Sequence, residues 1–521
     1  MRRAAGATGG LRSLERRLIS GFSAQGLSFG ARIFEQILLV PLFIGAWGTA
    51  LYQDWLLLFA AAGFLALADV GMQTYFGNLM VQAWARGDMN GCRHVIAITL
   101  GAYAIVCSLT FVLAAAVFLA VDWPARLNVT LMPPAEARWT LALLGLSFLC
   151  LVPRGITTQI YRARGDFGRA INLTTLLVVA RAGAIALTLA LGAAPRVVAL
   201  VDVVIVLVIG WGLVLFDQKW RYPDLRYGLR LPDRNETSDL IDKTRWYFLP
   251  QLSAILLLHA PVLIIGLLVP VPGAVVAFTV ARTLTGVLRQ IPLRLSDVTG
   301  VEMASYHAQD EPALMRRLYM HTGRLAGGVS GLLAGLILAL GEPLITIWTR
   351  GAVAYDPWLI AFFVLPMFLT APANTSVVAL HYTNQPGPIA FARSTHTVLG
   401  LALAALLVPW FASPGVAAGL AVGEILALGG YLTFVATRRL GIDVGTYLRS
   451  SLSGATLMLL ISYGSAALGA AWIEPRGVRE LLLLGLLWAA VILLPTLVLM
   501  TPAQQRRLLL GRVSTWLASR R

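Results

Sequence analysis

The sequence predicts an all-α polytopic membrane protein of about fourteen transmembrane helices, arranged as two six-helix lobes with pseudo-two-fold symmetry and two further C-terminal helices. Three observations carry that prediction. The 521 residues are 58% hydrophobic and only 13% charged, with a mean hydropathy of +0.76, whereas soluble domains carry about a quarter charged residues. Apolar runs of about twenty residues, the length that crosses a bilayer, recur from end to end. Finally, Pro41-Leu42-Phe43-Ile44-Gly45 returns as Pro261-Val262-Leu263-Ile264-Ile265-Gly266, and Met80 to Asp88 is matched at similar distance by Met303 to Asp310, which marks an internal repeat.

Taken in order, residues 1–19 are a basic leader without a small-residue cleavage site, expected to stay cytoplasmic. Spans at 20–43, 53–80, 95–121, 139–160, 170–192 and 197–216 make the first lobe, 20–216. The polar, charged stretch 217–245 is the expected linker. Spans at 246–269, 274–300, 324–347, 357–380, 389–411 and 415–436 make the second lobe, 246–436. Two more, 450–472 and 480–500, lie outside the repeat within 450–500. The tail, 501–521, combines Leu508, Leu509, Leu510, Val513 and Trp516 with five arginines, which suits a basic interfacial helix, a solvated tail being the alternative.

The formal charge of +16, from 41 basic and 25 acidic residues, first reports orientation. With fourteen spans, 28 basic residues lie on the side of the termini and six on the other, so the positive-inside rule puts both termini in the cytoplasm. That accounts for the charge without nucleic acid. Most tryptophans fall near span ends, as interfacial aromatics do; Trp488 is the exception. Cys92, Cys107 and Cys150 show no CxxC spacing, which argues against disulfides or zinc. The longest external loop, Asp122 to Arg138, leaves no room for an extracellular enzyme domain.

The remaining seven arginines, Arg32, Arg154, Arg181, Arg282, Arg289, Arg294 and Arg393, fall inside spans. Each costs about 3 kcal/mol at a helix centre facing lipid, so they must face water, a partner or the headgroups. Acids are there too: Glu35, Asp69, Asp202, Asp297, Glu342 and Glu424. In the first lobe the three acids match Arg32, Arg154 and Arg181 in number, so internal pairing is a standing alternative to a cationic lumen. The eighth span differs, carrying Arg282, Arg289 and Arg294 against Asp297 alone. Arg282 and Arg289 are seven residues apart on one helical face, with Pro292 expected to kink the helix nearby. Arg294 either pairs with Asp297 or lies near the helix end. Arginine forks suit phosphate geometry. On the first span Gln25, Ser28, Arg32 and Gln36 form a polar stripe, and on the second Asp69 and Gln73 lie one turn apart. His259, His381 and His396 are weaker candidates, with Asp202 and Glu424 alone in their spans. No Walker A, HExxH or GxSxG pattern is present, so transport work would draw on a gradient or a partner. Repeated halves are common in secondary transporters, with substrate sites at their interface.

The segment Pro41 to Asp88 resembles the opening of Wzx-type polysaccharide flippases: Pro41 and Gly45 end the first span, an aromatic-rich start opens the second, then come Ala68-Asp69-Val70-Gly71 and a closing Arg86-Gly87-Asp88. The resemblance implies the superfamily that also holds multidrug and toxin extrusion (MATE) transporters and lipid II flippases, with two six-helix lobes alternating in access. It implies a bacterial inner-membrane protein moving an undecaprenyl-pyrophosphate-linked oligosaccharide for O-antigen, capsule or exopolysaccharide assembly. A polysaccharide polymerase and chain-length proteins are the implied partners besides membrane lipids, and no catalytic residue, metal or cofactor beyond a proton or sodium gradient is expected. Arg282 and Arg289, helped by Arg32, Arg294, Gln25 and Gln36, are then the expected pyrophosphate and sugar contacts, with Glu35, Asp69 or Asp297 as ion-coupling candidates. The rivals are a lipid II flippase, which fits the charge equally, and a drug extruder, which would want carboxylates. A membrane glycosyltransferase or polymerase would need a larger external loop.

Overall fold

The computed structural model describes the backbone of residues 2–225 and 227–500, and side chains from Ser23 onward except at 226, 245–247, 494 and 497–500. The expected basic tail and the side chains of the leader lie outside the described residues. Every regular element described is a helix. Lipid imposes this, because backbone groups without water must be satisfied within their own segment. The chain packs into two compact units, Met1–Val276 and Ala277–Arg521.

The first unit opens with α1 (Arg2–Gly63) and a tight 3₁₀ turn, Phe64–Asp69, then α2 (Met72–Ala85), α3 (Met89–Ala120), the short α4 (Trp123–Arg126), α5 (Pro134–Leu151) and α6 (Gly155–Ala163). It continues through α7 (Phe167–Ala190), α8 (Pro195–Ile205), a π-helical stretch Val206–Leu213, α9 (Val214–Arg221) and α10 (Arg234–Leu268). α1 folds back at Gly48, whose φ of 72° glycine adopts without a Cβ clash. Phe43, Trp47, Tyr52 and Trp55 cluster around that turn at ring separations of 5.0–5.6 Å, and the Trp47 indole donates to the Ala193 carbonyl at 3.0 Å. Beside the turn, Asp54 is fully buried. It accepts the backbone N–H groups of Thr130, Leu131 and Met132 at 3.1, 2.8 and 2.8 Å, which anchors the expected longest loop.

The expected second span, 53–80, is not one helix. It breaks at Val70 and Gly71, both left-handed at φ 47° and 77°, and for a β-branched valine that conformation is strained. The expected fourth span, 139–160, breaks between α5 and α6. The two breaks meet: the Gln73 amide donates to the Val152 carbonyl at 3.0 Å, and a Cβ on Gly155 would collide with the Gln73 side chain at 1.9 Å. A carbonyl freed by one broken helix is thus satisfied by a side chain of the other.

The expected linker 217–245 falls inside the first unit. Its middle lies on α3, where the Arg230 N–H donates to the Ala97 carbonyl at 3.1 Å, and a capping box of Asp233 and Glu236 starts α10. α10, expected to open the second lobe, packs with the first unit: His259 is buried against Gly63 and ringed by Phe59, Phe64 and Phe148 at 5.9–6.2 Å.

The second unit begins within the first turn of α11 (Ala274–Val298) and holds α12 (Gly300–Ala308), α13 (Pro312–Trp348), α14 (Pro357–Leu369) and α15 (Ala371–Tyr382). After them come α16 (Pro386–Glu424), a second π-helical stretch Ile425–Leu432, α17 (Thr433–Arg439), α18 (Val444–Ile473) and α19 (Val478–Met500). α11 continues through Pro292, whose carbonyl accepts from the Ser296 hydroxyl at 3.2 Å. α14 and α15 meet at a 47° bend at Thr370. α16 turns at Ala412, with φ 50° and ψ −135°.

Among the described residues ten helical stretches are long and apolar enough to cross a membrane, and the bent pair of α14 and α15 makes an eleventh. Ser23–Ala85 and Pro386–Arg439 have 63 and 54 residues, about 95 and 80 Å of helix against a hydrocarbon core of about 30 Å. Each therefore holds two crossings, and with α19 the expected fourteen are reached. The repeat has a structural counterpart: the reversals at Gly192 and Ala412 stand about 220 residues apart, as do the π-helical stretches Val206–Leu213 and Ile425–Leu432.

Candidate functional site

In the first unit the charges converge on Asp202 of α8, one turn before the π-helical stretch. Arg181 of α7 clamps this buried carboxylate with two N–H bonds of 2.7 and 2.9 Å, and the Ser147 hydroxyl adds a third at 2.6 Å. Glu35 of α1 is half-buried within the field of Arg181, Arg32 and Asp202. Arg154 follows another route: its Nε–H donates to the Gly210 carbonyl in the π-helical stretch at 3.2 Å, and a terminal N–H to the Thr174 hydroxyl at 3.4 Å. Asp69 takes no arginine among the described residues, accepting the Tyr103 hydroxyl at 2.7 Å. The numerical match of three acids to three arginines is thus one bidentate pair, one looser group around Glu35, and two residues satisfied by neutral partners.

In the second unit the corresponding acid is Glu424, the residue immediately before Ile425–Leu432. It is buried. Arg289 of α11 grips it with both terminal nitrogens, one bond at 2.8 Å to Oε2 and the other to Oε1. Thr370, at the bend between α14 and α15, donates its hydroxyl to Oε1 at 3.0 Å. One carboxylate therefore ties together an arginine, a helix bend and a π-helical stretch, and irregular helix of both kinds concentrates at functional sites. Arg282, two turns before Arg289 on the same face, is half-buried with its guanidinium 5.5 Å from the Phe278 ring. Arg294 is exposed and paired with the exposed Asp297 at 3.4 Å. Arg393 is exposed, and His396 stands near Arg289.

Gln25, Arg32 and Gln36 lie exposed on α1, with Ser28 half-buried among them. The structure brings Arg32 and Glu35 towards Arg181 and Asp202, and sets Arg282 and Arg289 on one helix. Asp202 and Glu424, each the one acid in its expected span, are both paired with an arginine of another helix; for Asp202 this is the internal pairing held open as an alternative. Sequence reasoning missed Thr370 and Ser147. Pro372, two residues past Thr370, was the available signal for a helix boundary there; nothing distinguishes Ser147 in the sequence. Two cavities of about 470 and 630 Å³ flank α3 and α5, lined by apolar residues such as Phe111, Leu146 and Leu149, and offer no charged group.

No family model matches the sequence, and no curated protein matches it either. Solved structures do match in three dimensions. An inward-facing multidrug resistance MATE family transporter of the MOP superfamily superposes with a TM-score of 0.63 at 16% identity, over 78% of this chain and 94% of that one. The lipid II flippase MurJ, in an inward closed conformation, gives 0.64 at 13% identity, over 92% and 98%. The chain has the fold of these proteins. An outward-facing MATE transporter also matches, at 0.51 and 17% identity, over 83% and 97%. The MATE matches leave about a fifth of this fold unaccounted for, and the MurJ match less than a tenth.

Proposed function

We propose that the protein is a flippase that moves an undecaprenyl-pyrophosphate-linked oligosaccharide across the bacterial inner membrane for O-antigen, capsule or exopolysaccharide assembly, with both termini cytoplasmic. The observation that carries this reading is the pair Arg282 and Arg289, half-buried on one face of an apolar helix. Arginine there is costly unless its charge is used, and its planar fork matches phosphate oxygens bidentately. In this reading Arg32, Gln25 and Gln36 of α1, with Arg294, serve the pyrophosphate and first sugar, while the polyprenyl chain stays in lipid. Arg289 reaches substrate only by leaving Glu424, so phosphate and carboxylate compete for one guanidinium. Protonation of Glu424 would loosen that latch, which adds it to Glu35, Asp69 and Asp297 as a candidate for coupling to a proton or sodium gradient. A polymerase and chain-length proteins are the proposed partners downstream.

The MurJ match, which extends over more of this chain than the MATE matches do, favours a second reading in which the cargo is lipid II. Both are lipid-linked pyrophosphates, and the arginines fit either. A cationic drug as cargo is disfavoured by the same arginines. The test is export in cells lacking their own flippase: R282A/R289A at unchanged protein level is expected to abolish polysaccharide export, and normal export would overturn the assignment. R282K/R289K separates charge from fork geometry. Rescue of a strain depleted of its lipid II flippase, without rescue of polysaccharide export, would select the second reading.

A further inference from the structure

A cavity of about 480 Å³ in the second unit lies between Tyr306 of α12 and the first turns of α13, within the size range of small-ligand pockets. Its walls carry Arg317, His321 and Arg324, spaced four and three residues apart and hence on one helical face. Its floor is apolar, with Leu314, Leu318 and Met320. Among the described residues no carboxylate pairs with Arg317, His321 or Arg324, and His321 sits in the field of both arginines. The neighbouring Arg316 is engaged elsewhere, donating to the Leu440 carbonyl at 2.6 Å. Arg317 and Arg324 are exposed and His321 is half-buried, so the hollow presents two open guanidiniums and an imidazole, with no carboxylate partner among the described residues, to an anion from outside the chain.

Depth identifies the kind of anion. α13 has 37 residues, about 55 Å of helix for a core of about 30 Å. Its far end is marked by Trp348, a residue type anchored at the headgroup level. Counting back the roughly 20 residues of one crossing brings the opposite interface close to Gly328, so Arg324 lies at headgroup depth and Arg317 just beyond it. We propose that this cavity binds the phosphate of an anionic glycerophospholipid, the arginines and His321 holding the phosphodiester and the leucines and Met320 meeting the start of the acyl chains. Basic hollows at this depth recognise anionic headgroups. The proposal is independent of any transport substrate.

It is tested on the purified full chain in neutral detergent by native mass spectrometry, titrating phosphatidylglycerol against phosphatidylcholine. The wild type is expected to retain phosphatidylglycerol preferentially. R317Q/R324Q should weaken that preference about tenfold or more, the effect of removing two cations at a membrane surface, while R317K/R324K keeps most of it. Equal retention by the glutamine variant, or no preference in the wild type, overturns the site. Millimolar inorganic phosphate displacing the lipid as effectively as phosphatidylglycerol itself would overturn the headgroup assignment in favour of a free-phosphate site. Should the double variant fail to fold, R317Q and R324Q are measured singly, each expected to lose part of the preference, and unchanged preference in both overturns the proposal.

Discussion

Asp202 and Glu424 show what a charge inside an apolar helix requires. Each is buried and held by an arginine from another helix together with a hydroxyl. Removing one partner leaves the other charged in a dry site, at a cost of about 3–5 kcal/mol, whereas removing both with apolar residues of similar volume is close to neutral. Asp202→Ala is therefore expected to lower the unfolding temperature of the purified protein sharply, and the R181M/D202L double variant to recover most of the loss. If the double variant were as unstable as the sum of the singles, the pair would not be a coupled unit. Glu424→Gln has a different consequence, since it removes the charge that competes for Arg289. A pyrophosphate probe is expected to bind the variant about tenfold more tightly, the equivalent of one charge-assisted hydrogen bond; unchanged binding in a titration would separate Arg289 from substrate. The arginines were legible in the sequence because arginine stands out in an apolar run. Their partners were not, because Arg289 and Glu424 are 135 residues apart and one sequence carries no contact information.

At the scale of elements, the second unit is held by a backbone-close pairing of α13 with α18. Gly323, Gly327, Gly331 and Gly335 recur every fourth residue, and a Cβ on each would run into Tyr447, Ser451, Ala455 or Leu459, at 2.3, 2.7, 2.0 and 2.4 Å. Small residues at this spacing let helices approach where lipid provides no hydrophobic drive. The Ser462 hydroxyl bonds the Leu332 carbonyl at 2.6 Å and accepts from the Trp488 indole at 3.1 Å, which explains the one tryptophan expected away from an interface. Gly331→Ala must push backbone against backbone and is expected to cost about 1–3 kcal/mol. Gly454→Ala on α18 meets nothing within 4 Å and should be neutral or stabilising by up to about 1 kcal/mol. Thermal unfolding of the two variants in detergent gives the comparison, and equal effects would refute the packing account. Gly48 falls in the gap between the expected spans 20–43 and 53–80, whereas the breaks at Gly71 and Thr370 lie inside spans read as continuous, although Gly71 and Pro372 stand beside them. The reversal at Ala412 falls in the gap between the expected spans 389–411 and 415–436, beside Pro414 and Gly415, whereas the π-helical stretches have no local signal, because packing rather than propensity selects them.

For the whole molecule, hydropathy was enough for an all-helical polytopic fold and its apolar spans, since a bilayer leaves few alternatives. The division between units was not legible: the polar stretch 217–245 looks like a linker, yet the first unit extends past it to Val276 because α10 buries His259 among aromatic residues of that unit. Orientation is the remaining large-scale property, and it rests on the distribution of 28 basic residues against six. It is open to a direct experiment. The turn at Ala194 and the stretch around Leu229 are separated by the crossing Pro195–Arg221, and both positions are exposed. With Cys92, Cys107 and Cys150 replaced by serine, Ala194→Cys is expected to react with a membrane-impermeant maleimide on intact cells. Leu229→Cys should react only after permeabilisation. The opposite pattern would place the termini outside, and would remove the basis for loading a pyrophosphate-linked substrate from the cytoplasmic face.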